Sequence, residues 1–272
     1  MPSFQTSDGL ALHYTDEGTG TPLLCLAGLT RDGRDFDFVA PHLSHLRMIR
    51  LDYRGRGQSD WADPATYTPL IEARDVVELI DHLALPKVAI LGTSRGGFIA
   101  MTLAATVKDR LLGVALNDVG PELNRAGLER ISSYIGKRPA FKSYDALLEI
   151  WPDLAQGFYN VPTSRFREEI TRLYTQGDTG LELTYDPALR TGVLAALDAE
   201  LPDLWPMFEA LAGLPLCALR GENSNLLAKT TFLKMQDRRP DMIAAEIPDR
   251  GHVPYLDEPE SLTTLLKWTD LL

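Results

Sequence analysis

Ser94 lies within Gly92-Thr93-Ser94-Arg95-Gly96-Gly97, and His252 within Gly251-His252-Val253-Pro254. Alone, a serine hydroxyl is a weak nucleophile. Beside an imidazole that takes its proton, itself oriented by a carboxylate, it can attack a carbonyl carbon. A G-x-S-x-G stretch between a strand and a helix makes a sharp turn that lifts the serine above the sheet edge, at a helix N-terminus whose N–H groups face incoming negative charge. Gly92 and Gly96 remove the Cβ atoms that would hold strand and helix apart. Among the five histidines, His13 falls in an N-terminal hairpin, His42 and His45 in a short helical stretch, and His82 near a helix end. Only His252 directly follows an expected strand. An acyl-transfer site also needs donors for the oxyanion. The candidates are the backbone N–H of Arg95, the residue after the nucleophile, and that of Leu29, in the loop after "PLLCLAG", where Gly28 permits the bend. The Arg95 side chain is expected to be solvated or paired rather than catalytic.

The elements that must position these groups follow from hydrophobic periodicity. "PLLCLAG", "RMIRLD", "KVAILG", "LLGVALN", "LPLCALRG" and "MIAAEI" are apolar runs of strand length. Ser7-Asp8-Gly9 marks a hairpin turn near the start. Ala73, Val76, Val77, Ile80 and Leu83 share a helical face, residues 95–106 continue as helix, and "RDFDFVAPHLS" suggests a short one. Strands that are apolar throughout and alternate with helices imply a mostly parallel sheet covered on both faces. The alternation fails between about residues 121 and 205, a stretch rich in aromatics and interrupted by Pro139, Pro152, Pro162 and Pro187, of which residues 121–200 make up the insertion. It is expected to be a helical cap inserted into a core of residues 1–120 and 201–272. Ligands of open α/β sheets bind at the carboxyl ends of the strands, so an insertion leaving there covers the site.

The 272 residues are 44% hydrophobic and 24% charged, with a formal net charge of −11. That acidity argues against nucleic acid and anionic membrane surfaces as partners. No apolar stretch approaches the roughly 18 residues of a membrane span, and the start carries no secretory pattern. A cytoplasmic location is expected, with Cys25 and Cys217 as buried thiols.

With these residues in view, the chain resembles the α/β-hydrolase superfamily, in its cap-bearing, esterase-like serine branch, from end to end. The segments that carry the resemblance are "AGLTRDGRDF", "LDYRGRGQSD", "GTSRGG", "LRGENSN" and "GHVPYLDEPE". It implies an eight-stranded sheet, and the serine sets the chain apart from the haloalkane dehalogenase and epoxide hydrolase branches, which use aspartate as nucleophile. One departure bears on chemistry. In relatives the acid usually follows the "LRGE" strand in a pattern like Gly-x-x-Ser-Asp, and here that position is Asn225. Three readings stay open: Asp118, at the end of the preceding strand where some members carry their acid; Asn225 in a vacated position, with impaired catalysis; or Glu222 reaching in.

The expected function is that of a cofactor-independent, metal-independent serine hydrolase acting on a small, largely apolar carboxylic ester or lactone through an acyl-enzyme. The alternatives are hydrolysis of a carbon–carbon bond in a ring-cleavage diketone, or a catalytically weak small-molecule receptor on the same fold. The expected partner is a small-molecule substrate, and a homodimer is left open.

Overall fold

A computed structural model describes residues 2–272. The N-terminal part forms β1 (Ser3–Gln5), β2 (Ala11–Glu17), β3 (Pro22–Leu26) and β4 (Arg47–Leu51), followed by α1 (Pro69–His82), β5 (Val88–Thr93), α2 (Arg95–Thr106) and β6 (Leu111–Asn117). The chain then leaves the sheet through α3 (Arg125–Tyr134), α4 (Tyr144–Leu148), α5 (Trp151–Leu154), α6 (Thr163–Leu173), β7 (Tyr174–Gly177), β8 (Gly180–Leu183) and α7 (Leu189–Asp198). It returns through α8 (Trp205–Glu209), β9 (Leu216–Gly221), α9 (Lys229–Arg238), β10 (Ile243–Ile247) and α10 (Pro259–Thr269).

Eight strands form one sheet in the order β1-β2-β4-β3-β5-β6-β9-β10. The β1–β2 and β2–β4 pairs are antiparallel and the remaining pairs are parallel. Successive residues of the central strands supply two cores. Leu24, Leu26, Ile90 and Leu116 pack with Val76, Ile99 and Phe208 on one face, while Leu23, Cys25, Leu91 and Leu219 pack with Phe36, Leu265 and Trp268 on the other. This two-sided burial explains why the strands read as unbroken apolar runs. Both thiols lie in it, and burial pushes the Cys25 thiol up to about 12.

Two local expectations change. "RDFDFVAPHLS" forms two separate 3₁₀ turns, Gly33–Phe36 and Ala40–Leu43, not one helix. Pro41 has no N–H to continue a ladder from the first turn, and the Asp32 side chain caps that turn separately by accepting from Arg34 N–H. The stretch expected to be wholly helical also contains the antiparallel β7–β8 hairpin, paired from Tyr174–Leu183 to Gly177–Gly180. Gly180 closes its tight turn at φ 140°. Past this excursion, Phe208 and Leu211 rejoin the main core beside α2.

The excursion rests on loops at the carboxyl ends of the strands. Asp186 N–H donates to Gly55 O at 2.8 Å, and the Tyr67 hydroxyl donates to the Asp186 carboxylate at 2.6 Å. Tyr159 N–H donates to Asp249 O at 3.0 Å, and the Phe158 and Tyr255 rings lie 5.3 Å apart. No helix among the described residues is long and apolar enough to cross a membrane.

Candidate active site

Strand register brings the site together. Thr93 pairs with Asn117, and Asn117 with Leu219, so Ser94 and Asp118 leave the sheet side by side, one residue past each strand end. Ser94 N–H donates to Asn117 O at 2.9 Å, and Asp118 N–H to Leu219 O at 2.8 Å. Gly221 pairs with Ile247, and the loop after β10 returns His252 to the same edge. The Asn117 side chain holds that loop by donating to Pro254 O at 3.1 Å.

Ser94 takes φ 49° and ψ −108°, a left-handed conformation that a non-glycine residue holds only when its surroundings enforce it. The enforcement is close packing of strand against helix. A Cβ on Gly92 would lie 2.6 Å from the carbonyl carbon and oxygen of Gly96. Both obstacles are backbone, so Gly92→Ala should destabilise the fold by about 3 kcal/mol, at the upper end of overpacking costs. The melting temperature should drop by roughly 6–12 °C, and kcat should fall with it because Ser94 moves. A variant that melts within about 2 °C of the wild type would show the turn to be slack.

The three side chains form one hydrogen-bonded line. His252 Nε2 is 2.9 Å from Ser94 Oγ, and its Nδ1 is 2.7 Å from Asp118 Oδ2. Ser94 is 8% exposed, and Asp118 is fully buried at φ 55°. The other oxygen of Asp118 accepts from Gly221 N–H at 2.9 Å, and the Ser224 hydroxyl donates to Oδ2 at 2.6 Å.

Of the three acid candidates, Asp118 is the one at the imidazole. Asn225 is solvent-exposed and makes no hydrogen bond to His252 among the described residues. Glu222 faces outward and accepts from Asp249 N–H at 3.2 Å. The "GENSN" segment nonetheless reaches the site, through Ser224. That contact was missed at the level of sequence. The signal for it was chemical: a buried carboxylate at the end of β6 needs donors from the neighbouring strand end.

Of the groups expected to receive an oxyanion, Arg95 N–H directly follows Ser94, and Leu29 N–H lies in the loop after β3, whose Ala27 O accepts from Gly96 N–H at 3.1 Å. Arg95 N–H opens α2, where no preceding helical carbonyl is available to it. Gly28 O accepts from Arg31 N–H at 3.1 Å, so Leu29 N–H, on the opposite side of that trans peptide, points away from the turn. The Leu29 side chain packs against the cluster formed by Tyr67 and, from the excursion, Ile135, Tyr185, Leu189 and Val193. The Arg95 side chain is paired, its Nε 2.6 Å from a Glu72 oxygen. Nearby, Tyr67 is pushed up to about 12, first by burial and then by its hydrogen bond to Asp186, so it stands as a neutral donor.

The comparison with known proteins agrees with this architecture. The model of the alpha/beta hydrolase family matches residues 23–263. A 3-hydroxybutyrate-oligomer hydrolase from Cupriavidus necator is 37% identical over 264 residues, covering 93% of this chain and 90% of that protein. A 2-(acetamidomethylene)succinate hydrolase from Mesorhizobium japonicum is 25% identical over 264 residues, covering 97% of this chain and 92% of its own. The crystal structure of an alpha/beta hydrolase from Novosphingobium aromaticivorans superposes with a TM-score of 0.92 at 35% identity, covering 100% of this chain and 98% of that one. Fold, sheet order and these full-length relatives together place the chain in the alpha/beta hydrolase family, among hydrolytic enzymes.

Proposed function

We propose that the chain is a serine hydrolase that cleaves small carboxylic esters through an acyl-enzyme. The observation that carries this is the unbroken line Asp118–His252–Ser94 at the carboxyl edge of the sheet. In this reading Ser94 Oγ attacks the ester carbonyl carbon while its proton passes to His252 Nε2. Asp118 holds Nδ1–H and stabilises the imidazolium. Leu29 N–H and Arg95 N–H receive the oxyanion. Collapse expels the alcohol, which takes the proton from Nε2 and leaves the acyl group on Ser94. Water, deprotonated by His252, then attacks that ester, and the acid departs. Residues 121–200 act as a cap that selects the acyl and alcohol groups, supported by their seat on the loops after β3, β4 and β10.

The relative from Cupriavidus necator supports the substrate class, since oligomers of 3-hydroxybutyrate are chains of short carboxylic esters. The test pairs a fluorophosphonate probe with p-nitrophenyl esters of increasing acyl length and a 3-hydroxybutyrate dimer. Covalent labelling should map to Ser94, and turnover should be fastest on short acyl groups. Absence of both labelling and turnover at pH 8 would favour a ligand receptor on the same fold.

A further inference from the structure

Glu72, on α1, carries no expected role and is fully buried. Each carboxylate oxygen takes one guanidinium. Arg56 Nη1 donates to Oε1 at 2.7 Å, and Arg95 Nε to Oε2 at 2.6 Å. Arg56 is also fully buried, and its Nε donates to Leu29 O at 2.8 Å. Arg95 Nη2 donates to Tyr67 O at 3.0 Å. One carboxylate thus joins two arms. The first ends on the carbonyl of Leu29, and the second is the side chain of Arg95 itself. These are the two residues whose N–H groups are the expected oxyanion donors.

Stability alone is a weak explanation for this trio. Desolvating three charges costs several kcal/mol per ion, and an apolar trio of similar volume often serves a core as well. Burial pulls the Glu72 carboxyl upward, but the fields of Arg56 and Arg95 and their hydrogen bonds outweigh it, so its net shift is downward and it stays ionised. Two cations against one anion leave the trio with a net charge of about +1. The Arg56 guanidinium is held further by the Tyr53 and Tyr67 rings, 5.4 and 5.5 Å from their centroids.

We propose that Glu72 is a positioning residue for hydrolysis: by clamping Arg56 and Arg95 together it fixes the Leu29 loop and the start of α2, so that both backbone N–H groups converge on the oxyanion. This rests on the serine hydrolase reading above. Oxyanion donors act within about 2.7–3.1 Å, and a 1 Å misplacement can cost about 100-fold. Loosening either arm therefore weakens transition-state binding more than substrate binding.

The test uses the full chain and the variants Glu72→Gln and Arg95→Met. The readouts are kcat and KM on p-nitrophenyl butyrate, the Ki of an alkylboronic acid whose serine adduct mimics the oxyanion, and active sites counted by fluorophosphonate titration. Per titrated site, kcat should fall about 10- to 100-fold with KM within about twofold, and the boronate Ki should rise by the same factor. If Glu72→Gln does not fold, Arg95→Met decides alone, since it leaves the Arg56–Glu72 pair intact. Unchanged kcat per site, or lost activity matched by fewer titratable sites with an unchanged Ki, would overturn the proposal. A wild type that neither hydrolyses esters nor reacts with the probe would overturn the hydrolase reading and this proposal together.

Discussion

Alanine at position 94 should lower kcat on a p-nitrophenyl ester by about 10⁶-fold, the scale seen when a serine hydrolase loses its nucleophile. The change removes one oxygen, whose hydrogen-bonding partner is His252 Nε2 at 2.9 Å. The backbone at this turn is held by other groups, chiefly Ser94 N–H on Asn117 O and Gly96 N–H on Ala27 O. The fold should therefore lose no more than about 1.5 kcal/mol, the net worth of the one hydrogen bond removed. His252→Ala should cost nearly as much, because nucleophile and base act as a unit and the second loss adds little to the first. Mass spectrometry of quenched reactions checks the same point from the other side. The wild type should show an acyl adduct on Ser94, and neither variant should. A loss of only a few fold in Ser94→Ala would remove this serine from the chemistry.

The parts of this arrangement visible in the sequence are those that a local pattern dictates. The strand and helix around Ser94 follow from "VAILG" and the helical period after it, and α2 begins at Arg95. His252 was legible because a strand pattern precedes it directly. Buried charge was not legible. Arg54 and Arg56 sit in a glycine-rich loop, where composition suggests solvated side chains, yet both are fully buried. Their partners, Asp75 and Glu72, lie on α1, 21 and 16 residues away. A salt bridge between a loop and a helix depends on how the two dock, and no periodicity encodes that. The β7–β8 hairpin was hidden for a different reason. "YTQGDTGLEL" has the Gly-containing turn of a hairpin, but its strands are four residues each and pair with each other outside the main sheet. Segments that short do not establish a period of two against a background of helices.

The remaining ambiguity at the level of sequence concerned charge, and the geometry turns it into a sharp experiment. Asp118→Asn should lower kcat by about 10³- to 10⁴-fold. The amide keeps the shape but cannot stabilise imidazolium with a full negative charge, and it can present an N–H to Nδ1 and so favour the wrong tautomer. The surroundings deepen the loss. Gly221 N–H and Ser224 Oγ both donate to Asp118, at 2.9 and 2.6 Å, and a side chain carrying its own N–H₂ cannot accept all three bonds that the carboxylate accepts here. Asn225→Asp should change kcat by less than about twofold, since position 225 is exposed and a charge there is screened by solvent. The double variant Asp118→Asn with Asn225→Asp should remain as slow as Asp118→Asn alone. Recovery of activity in that double variant would mean that the acid can be supplied from the loop after β9, and that Asp118 holds the imidazole without being its obligatory counter-ion.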